Sequence, residues 1–114
     1  MKKKYSLKRN EEIASIVHNR QSLRNSAFII FYKKNELDHS RVCISVSKKL
    51  GIAVFRNKTK RQIREMVTDI FDFNLNLDFV IVVKNLYINN DFQTNKNKLN
   101  ELYSKIISKQ GVNK

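Results

Sequence analysis

Proline is absent from the 114 residues and glycine occurs only twice. Linkers and loop-rich insertions draw on those residues, so the chain reads as one domain over residues 1–114. A single cysteine excludes an internal disulfide framework, and two histidines beside it leave no zinc-ligand spacing. Long apolar stretches are missing too. The unbroken run at residues 79–83 counts five, against roughly 20 for a bilayer span. The opening Met1-Lys2-Lys3-Lys4-Tyr5-Ser6 is basic with no apolar stretch behind it, so no secretory signal is expected. The expectation is a soluble, cytoplasmic protein.

Acidic residues are the last scarcity. Ten stand against 23 lysines and arginines, a formal net charge of +13. Hydrophobic types make up 41% of the chain, enough for a modest core and too many for a disordered basic tail. So large an excess charge on a small body repels itself, and an anionic partner relieves it. Nucleic acid, a membrane surface and an acidic protein all qualify by charge alone. The placement of the cations has to choose.

Periodicity predicts the elements. Asn10 is the expected N-cap of a first helix over residues 10–18, with Glu11 and Glu12 at its positive end and Ile13, Ile16 and Val17 as its apolar stripe. Residues 27–32 and 41–47 read as strands, with a polar loop between them and a turn at Leu50-Gly51-Ile52. From about residue 56 the pattern turns helical, with Ile63, Met66, Val67, Ile70 and Phe71 at i, i+3, i+4, i+7 and i+8. Asp78 opens the apolar run, which suits a strand covered on both faces. Asn90 or Asp91 can cap a last helix striped by Leu99, Leu102, Tyr103, Ile106 and Ile107. This order predicts an α+β or α/β sandwich built on one sheet.

The start of the middle helix works against local electrostatics. Arg56, Lys58, Lys60, Arg61 and Arg64 crowd its first turns, where the dipole disfavours cations. At about 100° per residue, Arg56, Lys60 and Arg64 fall near 0°, 40° and 80°, with Asn57 near 100° and Arg61 near 140°. They share one face. The acid available at i+4 is Glu65, opposite Arg61, and Lys48-Lys49 stands just upstream. A cationic ridge beside free N–H groups at a helix start suits phosphates, while a solvated charged face is the plain alternative.

Other candidates for chemistry are weak. Cys43 lies in an apolar strand and reads as a small core residue, and His18 and His39 have no partner motif. Asp69, Asp72 and Asp78 are spaced like capping and turn residues rather than a paired acid and base. No glycine-rich phosphate loop or nucleophile motif occurs, so no active site is expected in the chain itself.

The block Ile44-Ser45-Val46-Ser47-Lys48-Lys49-Leu50-Gly51, followed by Ala53-Val54-Phe55-Arg56-Asn57-Lys58-Thr59-Lys60-Arg61-Gln62-Ile63-Arg64-Glu65, resembles the signature of the bacterial ribonuclease P protein family. Leu7-Lys8-Arg9-Asn10-Glu11-Glu12 resembles that family's N-terminus, and the likeness extends loosely over residues 7–110. The resemblance implies an αβββαβα sandwich of two layers, ribosomal-protein-like, with a left-handed crossover through the middle helix, an exception to the usual hand. It also implies a further strand around residues 21–25.

By the same resemblance, Arg56, Asn57, Lys58, Lys60, Arg61, Arg64, Lys48 and Lys49 would face a catalytic RNA. A cleft between the first helix and the sheet, at Phe31, Ile13, Val17, Ser45 and Lys49, would hold the 5′ leader of precursor tRNA. The family's usual aromatics at the two helix positions are Ile13 and Val17 here, Lys58 replaces an arginine, and Ile52 replaces a polar residue. Phe31 is either a stacking platform or a core residue. Hydrolysis would belong to the RNA, which would hold Mg²⁺, and the expected partners are that RNA and the leader, with no membrane and no DNA. A ribosomal or RNA-chaperone protein that binds structured RNA without cleavage is the alternative of a different class. A helix-turn-helix DNA reader fits poorly, because the basic ridge begins a helix that follows a strand.

Overall fold

The structure, a computed structural model, describes residues 1–110. Helix α1 spans Asn10–His18, strands β1, β2 and β3 span Ser22–Arg24, Phe28–Lys34 and Arg41–Ser45, and α2 spans Ala53–Ile70. Strand β4, Leu77–Val83, and helix α3, Phe92–Lys109, complete the order αβββαβα. The four strands form one sheet in the order β1-β2-β4-β3. β2 pairs antiparallel with both β1 and β4, whereas β3 lies parallel to β4 after the crossover through α2.

Alternation along the strands divides the residues between two faces. Phe28, Ile30 and Tyr32 of β2, Val42 of β3, and Phe79, Ile81 and Val83 of β4 point into the main core. There they meet Ile63, Met66 and Val67 of α2 and Leu99, Leu102 and Ile106 of α3. The opposite parity, Phe31, Cys43, Val80 and Val82, faces α1 and packs with Leu7, Ile13, Ile16 and Val17 in a smaller cluster. The expected two layers, sheet and α2–α3, hold the main core, and α1 adds a partial third. Cover on both faces explains why β4 is buried along nearly its whole length.

Local chemistry sets several boundaries. Asn25 makes the β1–β2 hairpin turn, its Oδ1 accepting from the N–H groups of Ala27 and Phe28, both at 3.0 Å. Asp91 caps α3, its carboxylate accepting from Thr94 N–H at 2.8 Å, and the Thr94 side chain together with that bond holds the acid below the usual carboxylate range. Asn10 proves to be the first residue of α1; Arg9 takes the cap position with no side-chain bond. Helix α2 begins three residues before the expected start, at Ala53, with an N-cap residue, Ile52, that makes no side-chain bond. Its far end is tied to α3, where Tyr103 Oη accepts from Asp72 N–H at 2.9 Å and the Phe71 and Tyr103 rings stack at 4.0 Å.

Candidate nucleic-acid interface

Gly51 joins the 3-10 turn Lys48–Leu50 to α2 at φ +138°. A side chain fits badly there, since a Cβ would stand 3.0 Å from the Phe55 ring. Lys48 and Lys49 are exposed on the turn, where Ser47 Oγ accepts from Lys49 N–H at 3.1 Å. Beyond the glycine, Thr59, Ile63, Met66 and Val67 bury one stripe of α2. The cations flank that stripe. Asn57, Lys58, Arg61 and Arg64 are exposed, whereas Arg56 and Lys60 are half-buried.

No ion pair neutralises this ridge among the described residues. The Arg61–Glu65 pair that spacing allows is not formed; both side chains are exposed, and basic before acidic is the weaker order along a helix. Arg56 does make one internal bond, its Nε donating to Gly51 O at 3.2 Å. Lys60 and Arg64 lean toward the outer edge of β3, where the N-terminal segment passes, lining a hollow of about 130 Å³ with Ser6, Val42, Cys43 and Ile44. The cations therefore keep their charge and their access to solvent, at the end of a helix that already carries a positive dipole.

Three of the residues expected at the second site lie together on the other face of the sheet. Ile13, Val17 and Phe31 meet there around the buried Ile16, Leu7 and Val80. Phe31 is half-buried and packs against the cluster beneath α1. Ser45 is exposed at the end of β3, in register with Val82. Lys49 lies on the following 3-10 turn. Cys43 joins the same cluster half-buried, and its burial pushes the thiol pKa up, consistent with a packing role.

Asp78 corrects an expectation. It is no turn residue but a buried member of β4, 5% exposed, that accepts from Arg41 through both oxygens, from Nε at 3.0 Å and Nη2 at 2.7 Å. Asp69 likewise pairs with Lys96 at 2.9 Å, whereas Asp72 does make a turn, accepting from Asn74 N–H. The signal for Arg41 was in the sequence: a charge opening an apolar strand needs a buried partner, and Arg41 shares strand parity with Cys43 and Ser45.

No helix among the described residues is long and apolar enough to cross a membrane. The ribonuclease P family model matches residues 1–107. The ribonuclease P protein component of Mesoplasma florum is 42% identical over 109 residues, covering 94% of this chain and 99% of the relative. The structure of the Staphylococcus aureus RNase P protein superposes with a TM-score of 0.82 at 33% identity, covering 90% of this chain and 94% of that one. The RNase P protein from Thermotoga maritima gives 0.72 at 30% identity, over 85% and 94%. A family match over nearly the whole length, on a shared fold, places the chain in the ribonuclease P protein family, the RNA-binding subunits of an endoribonuclease that processes tRNA.

Proposed function

We propose that the two sites divide the work of one cytoplasmic holoenzyme, the α2 ridge seating the chain on the catalytic RNA and the α1 cleft taking the 5′ leader of precursor tRNA. The observation that carries this is the ridge: Lys58, Arg61 and Arg64 project from one helix with no carboxylate partner among the described residues. Unpaired cations displace counterions from a phosphate backbone, and Arg61 and Arg64 can each fork onto a phosphate. Lys48, Lys49, Arg56, Asn57 and Lys60 extend the same surface.

In the cleft, Phe31 offers a ring to one unstacked base, a contact worth about 1–3 kcal/mol. Ile13 and Val17 supply apolar walls where aromatics would stack, Ser45 offers a hydroxyl, and Lys49 a charge for the leader backbone. Mature tRNA has lost the leader, so these contacts favour substrate over product. No group of three or more metal-ligating side chains occurs among the described residues, and the ridge is cationic. The chain's own donor set does not suit Mg²⁺, and the ion belongs to the RNA in this reading.

The test mixes the protein with ribonuclease P RNA of the same source and labelled precursor tRNA at low Mg²⁺. Cleavage at the mature 5′ end that requires both components is expected. RNA binding with no stimulation of cleavage would favour the ribosomal or chaperone class instead.

A further inference from the structure

We infer that Arg41 and Glu12 form a clamp that sets the position of α1 over the sheet and thereby the width of the leader cleft, an inference that rests on the leader reading above. Arg41 stands in register with Asp78 on the neighbouring parallel strand, and strand parity turns both toward α1. One guanidinium serves both strands and the helix. Its Nε and Nη2 hold Asp78, while Nη1 and Nη2 reach the two oxygens of Glu12, each at 3.2 Å. Asn35 Nδ2 also donates to Asp78 Oδ1 at 2.7 Å, so that carboxylate has a second donor besides Arg41.

This division of partners separates folding from positioning. The Asp78 side chain is 8% exposed and needs Arg41, whereas that of Glu12 is 35% exposed and could be solvated if released. Glu12 is the one residue of α1 that is ion-paired to the sheet among the described residues. It directly precedes Ile13 and lies one turn before Ile16, so its tether acts on the stretch of helix that forms the cleft wall. The apolar cluster beneath α1 is small, with three buried residues, so packing alone fixes the helix less firmly than the main core fixes α2 and α3. Arg41 and Glu12 are positioning residues here; neither needs to touch the leader.

The experiment uses the full chain reconstituted with its RNA, and measures affinity for precursor and mature tRNA beside Tm. Five proteins are compared: wild type, Glu12→Gln, Glu11→Gln, Phe31→Ala and the double variant Glu12→Gln with Phe31→Ala. Glu11→Gln removes the same charge from the same helix turn without touching Arg41. Glu12→Gln is expected to lose about threefold to tenfold of the preference for precursor over mature tRNA, at unchanged single-turnover cleavage rate under saturation and nearly unchanged Tm. Glu11→Gln is expected to keep the preference. Combined with Phe31→Ala, Glu12→Gln should add little, because both act through one cleft. An unchanged preference in Glu12→Gln, or an equal loss in Glu11→Gln, overturns the clamp while a loss in Phe31→Ala leaves the leader reading standing. A Phe31→Ala protein that also keeps its preference overturns both.

Discussion

The hydroxyl of Tyr87 donates to Gln62 Oε1 at 2.8 Å, fastening the 3-10 turn that follows β4 to the side of α2. Burial pushes this hydroxyl up to about 12. A tyrosine in the unfolded chain titrates near 10. The unfolded state therefore loses its proton first, so the stabilisation is complete below about pH 10 and is lost as pH rises toward 12. Tyr87→Phe should be about 1 kcal/mol less stable at pH 7, and the gap to wild type should narrow across that alkaline window. Urea unfolding at pH 7, 10 and 12 reads both effects. Tyr103, also raised by burial, leaves part of the alkaline loss in place.

Among the described residues the Arg61 and Arg64 side chains make no ion pair or hydrogen bond, so alanine at either should change stability by no more than about 0.5 kcal/mol. RNA affinity should fall, and the slope of log K against log salt should flatten by about one unit for each lost phosphate contact. A salt titration of RNA binding measures this. Unchanged slopes would mean that the ridge meets solvent in the complex. Arg56 is a less clean probe, because its bond to Gly51 O also holds the helix start.

Phe31 carries two roles that two substitutions can separate. Phe31→Ala removes a half-buried ring from the α1 cluster and should cost about 1–3 kcal/mol, together with the preference for leader-bearing tRNA. Phe31→Leu refills much of the cluster without a flat π-face, so stability should largely return while the preference stays low. Thermal melts paired with precursor and mature tRNA titrations decide it. A leucine variant with full preference would assign Phe31 to packing alone.

Much of the fold was legible because long stripes are strong signals. Ile63, Met66, Val67 and Phe71 are buried as their spacing predicts, and so are Leu99, Leu102, Tyr103 and Ile106. Strand β1 was legible only through family resemblance, since Ser22–Arg24 is three residues long with one apolar side chain. The early start of α2 was hidden because Ile52 and Val54 are 73% and 75% exposed, an apolar pair that imitates a turn into the core. Periodicity also gives no sign of which sheet face a helix covers. The placement of α1 opposite α2 and α3, and with it the Arg41–Asp78–Glu12 group, depends on pairing between residues 29 and 37 positions apart in sequence. The ridge was readable from local spacing alone, whereas the cleft is a property of tertiary assembly.

The rims of the sheet bear on how the protein behaves before RNA reaches it. At one rim β1 is three residues long and ends in Arg24, and the adjoining Asn25 is bonded to the α3 carbonyl of Lys98 at 3.0 Å. At the other, the N-terminal segment runs alongside β3, with a parallel bridge from Ser6 to Val42 and Leu7 N–H donating to Val42 O at 3.0 Å. Neither rim offers a long open ladder to a second chain. With like-charge repulsion from a net charge of +13, strand-to-strand aggregation through these rims is disfavoured.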